Sequence, residues 1–122
     1  MASSIKLLIP PKQAENVDTV QYVVKDGTRV VIDKFTATNT TGTAATLDIN
    51  LIISGVIIPP ATTKTYTADD TNLIIKSKSI DAGETYTFPE LIGIVVDSGG
   101  SISTNAGTAT ALTITSAGRE IV

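Results

Sequence analysis

The chain has 122 residues, 42% hydrophobic and only 4% aromatic, with a formal net charge of -3 and neither cysteine nor histidine. Disulfides, thiolate chemistry, the commonest general base and the commonest zinc ligand are excluded at once, and most hydrolytic templates go with them. A pI near 4.7 argues against a nucleic-acid partner, whose phosphates need a basic stripe to neutralise them.

The length suits one domain, which at this size buries about 65% of the surface its unfolded chain exposes. With so few aromatics, the core has to come from Val, Ile and Leu, the branched residues that suit a pleated sheet. No apolar run approaches the ~20 residues of a membrane helix, and the first residues lack the layout of a signal peptide, so no membrane role is expected. Charged residues make up 17%, a low share for a free surface, and Thr and Ser fill the deficit. Few ions would have to lose water if neighbours covered such a surface.

In chain order, Ile5-Lys6-Leu7-Leu8-Ile9 is an apolar segment stopped by Pro10-Pro11. Residues 1–11 read as an edge strand or as an arm pairing with a neighbouring subunit, and residues 12–122 as the β-sandwich domain. Lys12 to Thr19 is a polar connection. Val20–Lys25 and Thr28–Thr38 flank Asp26-Gly27, the strongest short hairpin signal in the chain, since a type I′ turn needs positive φ at both central positions. In the second of these strands Val31, Phe35 and Ala37 share one face while Val30 and Ile32 share the other, so the strand is central or bulged. Ala45 to Ile53 alternates most cleanly, with Ala45, Leu47, Ile49, Leu51 and Ile53 opposite Thr46, Asp48 and Asn50.

Val56-Ile57-Ile58 is stopped by Pro59-Pro60, and Ala61 to Asp70 reads as an exposed, threonine-rich excursion carrying Tyr66. Thr71 to Ser79 returns to strand, with Leu73 and Ile75 opposite Ile74, Lys76 and Lys78. Ile80 to Gly100 then packs a turn at Asp81–Gly83, a strand ended by Pro89, a crossing at Glu90–Gly93, a short apolar run and a turn at Asp97–Gly100. That succession is the corner of a sandwich. Ser101–Thr104 and Ala109–Ser116 are further strands, with Leu112 and Ile114 inward, and Ala117-Gly118 is a last turn before a terminal strand. About eight short strands bounded by Gly, Asn and Pro signals predict a single antiparallel β-sandwich, jelly-roll or Ig-like.

Candidate chemistry is sparse, and no catalytic residue, cofactor or metal site is predicted. Asp26, Asp69, Asp70, Asp81 and Asp97 sit in turns, where the side chain bonds nearby amides, and the aromatics needed to grip a sugar are few. Asp69, Asp70 and Asn72 offer oxygens to calcium but lack EF-hand spacing. In Lys76-Ser77-Lys78 a strand places Ser77 and Lys78 on opposite faces, so no dyad forms. Asn39-Thr40-Thr41 matches the glycosylation pattern, which means little without an export signal. The candidate interface residues are Ile5, Leu7, Ile9 and Tyr66.

Several turn motifs, Thr36-Ala-Thr-Asn-Thr-Thr41, Ile80-Asp-Ala-Gly-Glu-Thr-Tyr86, Pro89-Glu-Leu-Ile-Gly93, Ser98-Gly-Gly-Ser-Ile-Ser103 and Ile114-Thr-Ser-Ala-Gly-Arg-Glu-Ile121, give the chain a resemblance. From about Thr36 onward it resembles small β-sandwich virion proteins of tailed bacteriophages, found as neck, collar or tail components or as capsid decoration (cement) proteins. The resemblance implies a structural role in a virion, with portal, connector, capsid or tail proteins as partners, a homo-oligomer, and no enzyme activity. A carbohydrate- or receptor-binding β-sandwich module is the alternative, with Tyr66 and the Thr62–Asp70 loop as its platform.

Overall fold

The computed structural model describes residues 3–53, 56–57 and 64–122. The strands among them are β1 (Ser3–Gln13), β2 (Thr19–Val23), β3 (Arg29–Asn39), β4 (Ala45–Ile52), β5 (Val56–Ile57), β6 (Lys64–Thr65), β7 (Leu73–Ile80), β8 (Thr85–Thr87), β9 (Val95–Val96), β10 (Ser101–Ala106) and β11 (Leu112–Ile121). One 3-10 turn, Pro89–Leu91, separates β8 from β9. The first sheet runs β1-β11-β3-β8, with β9 also on β3; the second runs β2-β10-β4-β7; β5 and β6 form a separate ribbon.

All pairings are antiparallel, and together they describe one long hairpin whose arms match β1 with β11, β2 with β10, β3 with β8 and β9, and β4 with β7. The hairpin is rolled, so that β11 also meets β3 and β10 also meets β4. This winding is the jelly roll, one of the two architectures left open by the sequence.

The roll overturns the predicted hairpin at Asp26-Gly27. A tight turn does form there, with Thr28 N donating to Lys25 O at 3.1 Å and Gly27 at φ 81°. Its flanking strands nevertheless belong to different sheets. Val24 N donates to Gly100 O at 2.8 Å and Gly99 N to Val24 O at 3.1 Å, which holds the end of β2 on the second sheet while β3 crosses to the first. The corner from Ile80 to Gly100 forms as read, with turns closed by Glu84 N to Asp81 O at 3.0 Å and Gly100 N to Asp97 O at 2.9 Å.

Bulges explain where simple alternation fails. In β3, Asp33 and Lys34 are both exposed at the register shift facing Ala117 and Gly118, so Val30 and Ile32 point inward before the bulge and Phe35 and Ala37 after it. β1 bulges at the same level, between Leu7 and Ile9, and buries Leu8 and Ile9 together. Between the two bulges lies Gly118, buried inside β11, so the predicted turn at Ala117-Gly118 is replaced by continuous strand. A Cβ on Gly118 would lie 2.2 Å from Val31 O and 3.0 Å from Leu8 Cδ1. Glycine is needed there for close approach.

The core is aliphatic except at one end, where Phe35 and Phe88 meet edge to face at 5.6 Å and Phe88 and Tyr86 at 4.8 Å. At that open side Lys78, predicted to point outward, pairs with inward Leu47 and carries its ammonium 4.3 Å above the Tyr86 ring. The bulge at Ser77 (φ 49°) turns it in. The other open side repeats the device, with Lys6 Nζ 5.4 Å above the Tyr22 ring and 3.1 Å from Glu120. Charges pointing inward from edge strands oppose edge-to-edge pairing between molecules.

Candidate functional site

The two sheets differ on their outer faces. On the second sheet Asn50, Ile52, Ser101 and Ser103 point away from the core yet are buried. The chain itself helps to cover them: Asn50 Nδ2 donates to Asp69 O at 3.1 Å and to Asn72 Oδ1 at 2.7 Å. Ile53, expected to continue the inward set, lies past the end of β4 and is 83% exposed.

The outer face of the first sheet is open. Register carries one row straight across it, in which Ile5 on β1, Val31 on β3 and Val95 on β9 are apolar and Arg119 on β11 is charged. Ile5 is 89% exposed and Val95 50%. One step along the strands, Leu7, Ala117 and Lys34 form the next row. Beyond it the face becomes a threonine array. Thr115, Thr36 and Thr87 make one row, and Thr113, Thr38 and Thr85 the other. Thr38 and Thr85 share a hydrogen bond of 2.8 Å, and Thr115 donates to Ile9 O at 2.9 Å. The charges in the apolar part are Lys34 and one fork, in which Arg119 Nη2 reaches Asp33 Oδ1 at 3.0 Å and Arg119 Nε reaches Asp33 Oδ2 at 3.1 Å.

Of the four sequence-predicted interface residues, Ile5 and Leu7 stand on this face, while Ile9 is fully buried beneath it and is core. The bulge in β1 accounts for the difference, since it reverses the alternation that would have kept Ile9 beside Leu7. Tyr66 is half-buried in the segment between β6 and β7, away from the other three. Sequence reasoning missed Val31, Val95 and the threonines. Thr-x-Thr recurs along the chain, and only strand order picks out Thr36-Ala-Thr38, Thr85-Tyr-Thr87 and Thr113-Ile-Thr115 and brings these three pairs side by side.

Elsewhere, a shallow acidic hollow of about 190 Å³ is lined by Asp18, Asp48, Asp69 and Asp70 with Lys76. The Asp69 carboxylate is already engaged by the hydroxyl and amide of Thr71, which hold it below the usual aspartate range. Among the described residues no group of three or more acids is placed to hold a metal ion. An open groove of about 660 Å³ lies between the turns carrying Arg29 and Asp97, whose side chains stand 3.8 Å apart. Asn39, in the glycosylation pattern, is buried, donating to Thr43 O at 2.8 Å and Ile80 O at 2.9 Å, so its amide is closed to modification in the folded chain. The ring faces of Tyr22 and Tyr86 are each capped by a lysine.

The open first-sheet face offers side chains that bind by desolvation and shape. Compared with protein-family models, with curated proteins and with solved structures, the chain matches none of them.

Proposed function

We propose that the chain is a structural component of a tailed-phage virion, in the neck, collar or another part of the head–tail region, acting by docking to other virion proteins. One observation carries this reading: the open outer face of the first sheet, where Ile5, Val31 and Val95 share a row and Arg119, the charge within it, is already paired with Asp33. Covering those apolar side chains releases water. The motif resemblance supplies the setting, and the jelly-roll winding, which serves capsid and lectin domains alike, is compatible with it without deciding it. In this reading the chain works without a cofactor, as a homo-oligomer against portal, connector, capsid or tail proteins.

Gradient-purified particles produced from the genome that encodes the chain test the proposal. Quantitative mass spectrometry should find the chain at a fixed whole-number ratio to the portal protein. Its absence from washed particles, with the chain present in the infected-cell lysate, would refute a virion role. A glycan array separates the alternative, which requires binding that Tyr66→Ala removes.

A further inference from the structure

We infer that the Asp26-Gly27 turn is a self-modification site, where the main chain isomerises through a cyclic imide to isoaspartate, and that the Ser98 hydroxyl sets the rate by holding the Gly27 amide. The inference stands apart from the docking role proposed above and uses only the geometry of this turn.

The sequence singles out one peptide bond. Asp26 is the one Asp or Asn in the chain that Gly follows, and ring closure at an acidic side chain is easiest before glycine, whose amide no Cβ shields. The fold leaves both reacting groups open. The Asp26 side chain is 83% exposed, with Lys64 Nζ 3.6 Å from its carboxylate, and a Cβ placed on Gly27 would meet nothing within 4 Å. Asp48 and Asp69, by contrast, already accept hydrogen bonds from Ser77 and Thr71.

The chemistry needs only water. Gly27 N attacks Asp26 Cγ and forms a C–N bond, while one carboxyl oxygen leaves as water with the amide proton and the proton of the carboxylic acid. Water then opens the ring at one of its two carbonyls. Cleavage between N and Cγ restores aspartate, whereas cleavage between N and the Asp26 carbonyl carbon leaves the main chain running through Cβ and Cγ, with a free α-carboxylate. Nothing is oxidised or reduced, and the final mass is unchanged.

Closure requires the Asp26–Gly27 peptide plane to rotate until its nitrogen faces the Asp26 side chain. The turn itself stays shut. Thr28 N and Thr28 Oγ1 donate to Lys25 O at 3.1 and 2.7 Å, and neither bond involves the central peptide. With Gly27 at φ 81° and Asp26 outside the left-handed region, the turn is of type II, which differs from type I chiefly by rotation of that same plane, and glycine accepts both. One contact resists the rotation: Gly27 N donates to Ser98 Oγ at 3.1 Å. Ser98 is therefore a positioning residue, a latch on the nucleophile, and a single exposed hydrogen bond of this kind slows closure about fivefold. Isomerisation adds one carbon to the main chain where it passes from β2 on the second sheet to β3 on the first.

The folded full chain, held at neutral pH and body temperature, tests the inference. Isoaspartate is counted by methyl transfer from labelled S-adenosylmethionine with an isoaspartyl methyltransferase, and placed by peptide fragmentation in the mass spectrometer. It should appear at residue 26 ahead of every other acid, and Asp26→Glu should remove that methyl acceptor. Ser98→Ala should raise the rate at residue 26 about fivefold with an unchanged urea midpoint, and Ser98→Thr, which keeps the hydroxyl, should hold the parent rate. Isoaspartate forming first elsewhere, or none at residue 26 in Ser98→Ala, overturns the site. A Ser98→Ala rate equal to the parent's overturns the latch, as does a rise shared by Asp81 and Asp97, which would report loosened turns instead.

Discussion

Gly118→Ala is the sharpest test of the packing described above. The added methyl carbon would lie 2.2 Å from Val31 O and 3.2 Å from Val31 C, against an ordinary carbon–oxygen approach of about 3.3 Å. One backbone must therefore yield by about 1 Å. Val31 cannot move freely, because it is registered with Arg119 on one side and Val95 on the other. Overpacking of this kind costs about 1–3 kcal/mol, and the upper end applies because the obstructing atom is main chain; the entropic gain of about 0.5 kcal/mol from replacing glycine offsets little of it. A net loss of about 2.5 kcal/mol, at a urea slope of about 1.5 kcal/mol/M, lowers the unfolding midpoint by roughly 1.7 M. Gly42→Ala is the control, with nothing within 4 Å of its added carbon and an expected change inside about 0.5 kcal/mol. Adding Leu8→Ala to Gly118→Ala should not recover the loss, since Leu8 Cδ1 is the more distant obstacle at 3.0 Å. A Gly118→Ala midpoint within about 0.3 M of the parent would refute the close-approach argument.

Asn39→Ala should cost about 2–3 kcal/mol in urea unfolding, because the Ile80 carbonyl loses a buried donor and the Thr40–Thr43 turn loses the Oδ1 that accepts from Thr41 N at 2.9 Å. Lys6→Met and Lys78→Met should each change stability by no more than about 1 kcal/mol, yet together raise light scattering on heating, since both open sides lose their inward charge. Stability should be level between about pH 5.5 and pH 9, there being no histidine or cysteine to titrate. On the acid side Glu15 is held below the ordinary glutamate range by Gln21 and then Lys12, and Asp69 below the aspartate range by Thr71. Their contributions are present above about pH 4 and fade as pH falls through the lowered folded-state values. Glu15→Gln should flatten the acid limb of a midpoint-against-pH plot, and an unchanged limb would contradict the assignment.

Local signals decided much of this molecule. The alternation of Ala45, Leu47 and Ile49 against Thr46 and Asp48 is dictated by the two-residue period of a strand, and each of those three apolar residues is buried. Gly83 and Gly99 mark turns because each adopts positive φ, at 74° and 81°. The absence of histidine and cysteine, and the scarcity of aromatics, bounded the chemistry before any fold was known. Where the reading went astray, the cause was non-local. Asp26-Gly27 turns the chain in either topology, and nothing in a turn says whether its arms stay in one sheet or part between two.

Bulges belong to the same class. Leu8 with Ile9, and Asp33 with Lys34, reverse the inward set only because neighbouring strands accept an extra residue there, and Ala117-Gly118 resembles a turn until Val31 and Leu8 are seen crowding its α-carbon. The exposed face has a similar origin. Each Thr-x-Thr pair is fixed by the strand period, whereas their union into one array, and the alignment of Ile5 with Val31 and Val95, follows from β11 and β3 being neighbours across more than seventy residues of chain, as in the pairing of Thr115 with Thr36. Side-chain direction is set by bonds between adjacent residues. Which surface those side chains compose is set by long-range pairing, whose free energy exists only when the whole roll has closed.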